Sequence, residues 1–257
     1  MLLAINPSHN GKSVSRGPRL GAGGRFAYLL AMQATDRPPL VLDMVSDPVC
    51  PWCYVGLASL DWALMALGFQ YDITLRFRPY RLAPDTPPGG MDRAEALAAK
   101  FPDPGARAQA RAAIIEAGRM AGVTFDPDTP ERLPDTTDAH RVLRWSHEAD
   151  LQRETKRAVM DAYWQRGEDI GERAVLARLA GRVGLDEGDI NARLASDEDR
   201  ADIAEEAAAF RAGGVDGVPT FIVNEQTGFA GALPKDQLTE AIRQLAEAGR
   251  APDGGPS

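Results

Sequence analysis

The 257-residue sequence is poor in the residues that hold small or metal-built domains together, with two cysteines and three histidines. Two cysteines allow at most one bridge. Cys50 and Cys53 stand so close in the chain that closing a ring between them removes little unfolded-state entropy, which excludes a purely stabilising disulfide as their purpose. A tetrahedral zinc site would need two further ligands, for which His140 and His147 in AHRVLRWSH are the candidates. On a helix they would sit ~10.5 Å apart along the axis, too far to share one ion, so no metal is expected. Positive charge is also short: 29 Lys and Arg against 37 Asp and Glu give a net charge of -8. That leaves no basic footprint for a nucleic acid. Nor is there an apolar run long enough to cross a bilayer, because Arg, Glu and Asp interrupt the helical stretches every few residues. A membrane is therefore not an expected partner either. What the chain does have is 44% hydrophobic residues, material for one substantial core or a core with a second lobe.

Acids are almost absent from residues 1–38, where Gly, Ser, Pro and Arg abound, and this extension is not expected to fold with the rest. It admits two readings. In a secretory signal, Lys12, Arg16, Arg19 and Arg25 would be the positive region, FAYLLAM the apolar core and Ala31 to Ala34 the cleavage site, although that core is short and far from the start. Alternatively, translation begins at Met32. Residues 251–257 read as a tail.

From residue 40, LVLDMVSD reads as a strand that stops at Asp47-Pro48. Pro51 then suits the first position of a helix, which puts Cys50 at the N-cap and carries the helix to Gly68. YDITLRFRPY, residues 71–80, alternates as a half-buried strand. Strand, helix, strand makes a βαβ unit with parallel strands. Far downstream, GVPTFIVNE and TGFAGAL read as two strands joined by a turn, followed by a helix over 234–249, a ββα unit. Between them, punctuated by Pro, Gly, Asp and Thr, lie six helical segments within residues 91–214, the last running unbroken from Asp189 to Gly214. The pattern is an α/β domain over 39–84 and 212–250 with an all-helical insertion over 85–211. Trp62, Trp145 and Trp164 lie at helical spacing among apolar residues and are expected in the core.

The cysteine pair sits where redox chemistry needs it, in DPVCPWCYVG between a strand and a helix. Only a thiolate attacks a disulfide, and the free N-H groups and positive dipole end of a helix start favour negative charge on the Cys50 sulfur. Cys53, one turn deeper, has fewer free donors and is expected to be the resolving thiol. Pro51 stiffens the loop, and Trp52 presents apolar surface beside the reactive atom. Neither adds a formal charge. GVPTF places Pro219 at the start of a core strand, where it is tolerated only as a first or edge residue. A trans bond opening an edge strand and a cis bond baring the Val218 backbone to an extended substrate are both open from the residues alone.

CPWCYVG at 50–56, the long helical stretch and GVPTF at 217–221, in that order, resemble the DsbA-like thioredoxin-fold proteins, and within them the FrnE-like group of cytosolic oxidoreductases. The resemblance spans residues 40–248, and TTDAHRVLRW at 136–145 is similar to a helical segment of that group. It implies a thioredoxin-like core, βαβ…ββα, with Cys50 as nucleophile, Cys53 as resolving thiol, a cis-Pro219 facing them and Val218 toward substrate. The group adjoins 2-hydroxychromene-2-carboxylate isomerase and the kappa-class glutathione transferases, in which a serine resembles the position of Cys50 and bound glutathione brings the thiol. Having both cysteines argues for dithiol chemistry here. DsbA itself carries His where this chain has Trp52, which implies a less oxidising pair suited to the cytoplasm.

The leading expectation is a thiol–disulfide oxidoreductase or isomerase acting on disulfide-containing proteins or low-molecular-weight thiols. It needs no cofactor beyond its dithiol, with glutathione admissible as co-substrate. A glutathione-dependent isomerase or transferase, and a client-binding chaperone module, are the alternatives. His140 is an extra candidate, able by its near-neutral pKa to relay a proton from Cys53 or to bind substrate.

Overall fold

The computed structural model describes residues 37–249, so both readings of the N-terminal extension and that of the 251–257 tail fall outside the described residues. Strand β1 (Pro39–Ser46) leads to helix α1 (Pro51–Leu67) and strand β2 (Asp72–Pro79). The insertion carries β3 (Met91–Asp92), α2 (Arg93–Lys100), α3 (Pro104–Ala121), β4 (Arg132–Leu133), α4 (Thr137–Glu148), α5 (Gln152–Arg166), α6 (Arg173–Val183), α7 (Glu187–Leu194) and α8 (Arg200–Ala212). The chain closes with β5 (Thr220–Val223), β6 (Thr227–Ala230) and α9 (Lys235–Ala248).

The four-stranded sheet has the order β2-β1-β5-β6, with β1 parallel to β2 and antiparallel to β5, and β5 antiparallel to β6. This is the expected βαβ…ββα core of a thioredoxin-like α/β fold. Flanked on both sides, β1 is buried from Leu42 to Ser46. Its one acid, Asp43, sits in register with Arg76 of β2 and takes two hydrogen bonds of 2.6 Å from that guanidinium. α1 and α9 pack on each other, while α4, α5 and α8 lean on β2. Across residues 38–249 the chain forms one compact unit in which the insertion is not separate from the core.

β2 is an edge strand, and the insertion seals it. Gln152 of α5 accepts the Phe77 N-H at 2.9 Å and returns its own amide to the Phe77 carbonyl at 3.3 Å, filling the place of a missing strand.

Three expectations need correction. The insertion is not wholly helical, because Met91–Asp92 pairs with Arg132–Leu133 in a two-residue ladder. The helix expected over 189–214 is two helices, broken at residues 195–199. Arg141, fully buried, causes the break by gathering the carbonyls of Arg193, Ser196 and Glu198 around its guanidinium. Asp199, at φ 56, accepts the Trp145 indole N-H at 2.6 Å. Finally, Trp145 and Trp164 are core, but Trp62 is 49% exposed, with the Lys235 ammonium 4.0 Å from its ring centre. α1 is apolar nearly all round, so periodicity gives no inward stripe to choose.

Candidate active site

The turn from β1 into α1 follows from local chemistry. Cys50 holds an extended φ/ψ of -88/116, its N-H donates to the Asp47 carbonyl at 3.0 Å, and Pro51 opens the helix. The first turn of α1 contains no acid, so nothing there opposes a thiolate at the helix start. Both cysteines are free thiols. Cys50 is 4% exposed and Cys53 0%, so Cys50 is the outer sulfur, while Trp52 stays half-buried beside it.

Across the site, the Val218–Pro219 bond is cis. The Cys50 thiol donates to the Val218 carbonyl at 3.5 Å, which brings together two motifs separated by 168 residues. The loop that carries them is tied down: Tyr80 Oη donates to the Val215 carbonyl at 3.2 Å, Thr220 Oγ1 to Gly217 at 2.7 Å, and Gly231 N-H to Pro219 at 2.8 Å. Gly56 makes room for it, since a Cβ there would stand 3.0 Å from Cγ of Pro219.

Two buried polar groups near the sulfurs, Asp47 and Lys156, escaped sequence reasoning. Asp47 accepts N-H groups from Leu82 at 2.8 Å and Val49 at 3.4 Å. Burial pushes its pKa up to about 6, against the pull of those donors and of Lys156. Lys156 of α5 is fully buried, and its ammonium has no hydrogen-bond partner. Burial pushes its pKa down to about 8, opposed by Cys53, Asp47 and Cys50. The Cys53 thiol is driven well above its ordinary range by burial and by its contact with Cys50, while Lys156 acts in the other direction. The CPWC motif carries no formal charge of its own, so the fold brings a cation from a hundred residues downstream. Position gave a signal: Lys156 lies three and four residues before the buried Val159 and Met160, on the apolar stripe of its helix.

His140, also buried, sits close to Asp47. Its Nε2 donates to the Tyr80 carbonyl at 3.1 Å and lies 4.0 Å from Asp47 Oδ1. Burial, with Lys156 nearby, holds its pKa well below 6.5, so the ring is neutral. Farther along α5, the Trp164 indole donates to the Pro48 carbonyl at 3.0 Å. Among the described residues no helix is long and apolar enough to cross a membrane.

Known proteins resemble this chain in sequence and fold. The profile of the DSBA-like thioredoxin domain matches residues 41–243. The Bacillus subtilis protein YwbO is 27% identical over 203 residues, covering 78% of this chain and 94% of its own. A probable DsbA oxidoreductase from Streptomyces coelicolor superposes with a TM-score of 0.72 at 26% identity, covering 85% of this chain and 94% of the other. The fold is also that of a 2-hydroxychromene-2-carboxylate isomerase, with TM-score 0.62, 16% identity, and coverage of 81% and 97%. The Pseudomonas aeruginosa cytosolic disulfide reductase DsbM shares it too, at TM-score 0.56, 20% identity, and coverage of 80% and 98%. A thiol at a helix start, a cis-proline loop facing it and a profile match across most of the sequence converge on one conclusion: the chain belongs to the DsbA-like thioredoxin domain family.

Proposed function

We propose that this protein is a thiol–disulfide oxidoreductase that exchanges disulfides with proteins or low-molecular-weight thiols through Cys50 and Cys53. The carrying observation is the outer Cys50 sulfur at the start of α1, 3.5 Å from the Val218 carbonyl, with a second thiol fully buried one turn below it. Val218 and Pro219 form the wall along which an extended substrate backbone lies.

In the reducing direction the Cys50 thiolate attacks one sulfur of the partner's disulfide, and the partner's other sulfur leaves as a thiolate. Cys53 then loses its proton and attacks the Cys50 sulfur. The Cys50–Cys53 bond forms as the Cys50–partner bond breaks, and the partner departs with both sulfurs reduced. Two electrons have passed from the dithiol to the partner; oxidation of a partner runs the same steps in reverse. No cofactor is required, and glutathione serves as co-substrate to reset the pair.

A glutathione-dependent isomerase brings its thiol on the bound tripeptide, whereas here a protein thiol occupies the helix start with a resolving partner behind it. Dithiol exchange is therefore preferred. Trp52 adds no charge beside Cys50, which favours work in a reducing, cytoplasmic setting.

The test is insulin reduction by dithiothreitol. The protein should accelerate it, Cys50→Ser should not, and Cys53→Ser should accumulate a mixed disulfide on Cys50 visible by mass spectrometry. Equal acceleration by wild type and Cys50→Ser would refute the assignment.

A further inference from the structure

Lys156 has no part in the exchange as described so far. It is an ammonium with no exposure and no hydrogen-bond partner, 5.8 Å from the centre of the Phe77 ring. A buried charge left in that condition is costly, and a neutral residue of the same length would fit an apolar stripe without the cost. Buried and unpartnered within electrostatic reach of Asp47 and the two sulfurs, it makes sense where a negative charge must appear transiently.

The resolving step creates such a charge. In the mixed disulfide the Cys50 sulfur is bonded and uncharged, so Cys53 must ionise alone, in a site where burial opposes ionisation. We propose that Lys156, carried on the inserted helical lobe, is the positioning residue that supplies the counter-charge for the Cys53 thiolate, so that the lobe sets how fast a mixed-disulfide partner is released. The proposal rests on the dithiol reading above. Cys53 gives its proton to solvent and its thiolate attacks the Cys50 sulfur. The Cys50–partner bond then breaks, and the partner's sulfur leaves with the bonding pair as a thiolate.

Other charges face this site from the elements around it. Asp47, in the turn after β1, lies beside Lys156 and competes for its charge. His140 of α4 is neutral and bound to Tyr80, with Arg81 and Arg144 acting on it from farther out. Lys156 is the cation that acts on Cys53 itself. Its delivery by α5 is rigid, because Gln152 and Trp164 clamp that helix to Phe77 and Pro48 one turn before and two turns after it.

Ellman's reagent separates the two chemical steps. Cys50 attack releases a first thionitrobenzoate and leaves the second on Cys50, and Cys53 attack then releases it. Stopped-flow traces across a pH series give the midpoint of the second phase, with the first phase as internal reference. In Lys156→Met the second phase should slow about tenfold or more at neutral pH, equivalent to a rise of one pKa unit or more in its midpoint. The rate should recover at high pH. Lys156→Arg should restore most of the neutral rate. Asp47→Asn should move the midpoint the opposite way, downward, an outcome that a purely structural role would not produce and that remains readable if the Met variant folds poorly. An unchanged midpoint in Lys156→Met, or the same fractional slowing at every pH, overturns the proposal. If wild type shows no second phase at all, the dithiol reading fails first and this inference falls with it.

Discussion

The Trp164 indole nitrogen lies 3.0 Å from the carbonyl oxygen of Pro48, so the inserted lobe grips the chain two residues before the nucleophilic cysteine. Trp164 is fully buried and meets Phe125 and Tyr163 edge to face, with the Arg93 guanidinium 5.3 Å from its ring. Replacing it with phenylalanine keeps much of the apolar contact but strands the Pro48 carbonyl. The expected loss is about 1 to 3 kcal/mol. Urea unfolding should show a lower midpoint at unchanged slope, and the insulin assay should show slower turnover because the turn that sets Cys50 is loosened.

Gly56→Ala tests the seating of the proline loop. The added methyl would stand 3.0 Å from Pro219 Cγ and 3.5 Å from Met44 Cε, in a buried contact with little room to give. Overpacking of this kind costs about 1 to 3 kcal/mol. The variant should melt lower and lose exchange activity beyond what its stability loss explains, since the wall beside Cys50 moves. An Ala variant with wild-type melting and turnover would show that Pro219 yields freely.

Arg141→Met removes the guanidinium that three carbonyls of the α7–α8 turn share with Asp138. Losing one partner from a buried charged network costs about 3 to 5 kcal/mol. Hydrogen exchange should rise first at residues 195–199 and in the first turn of α8, while the sheet stays protected.

Asp47 gives stability a pH dependence of definite sign. Its pKa is raised from 3.8 to about 6 in the folded protein, so the native state binds the proton more tightly than the unfolded chain. Its contribution to stability then falls as pH rises from about 4 to 6 and levels off above, by a total near 3 kcal/mol from the two-unit shift. Wild type and Asp47→Asn should be compared by denaturant titration at each pH. The difference between them, wild type minus variant, should fall by that amount across that window. A flat difference would mean that the carboxyl titrates as it does in water.

Much of the architecture was legible because its signals are local. Pro51 after Cys50 marks a helix start, and Gly and Pro punctuation bounds most of the helices. The run LVLDMVS has the composition of a central strand, and two distant motifs carried the family resemblance. The pair of buried polar groups near the sulfurs was not legible, because Asp47 reads as the end of a strand and Lys156 as one more charge on a helical surface. Their meaning comes from tertiary contact between segments more than a hundred residues apart. Lys156 on the apolar side of α5 was a usable sign, and an acid three residues before the first cysteine was a weaker one. The break at residues 195–199 was hidden for the same reason: SDED reads as solvated helix until a buried arginine from α4 claims the carbonyls around it.

Gln152, Lys156 and Trp164 stand at intervals of four and eight along α5, so they share one side of the helix and meet three different parts of the core. A single residue inserted between Lys156 and Trp164 would swing the indole about 100 degrees away from Pro48 while leaving the other two in place. Relatives of this chain should therefore vary in length at the joints between helices and keep the count from Gln152 to Trp164 invariant. This ruler of twelve steps would mark the lobe in sequences too divergent to align by identity.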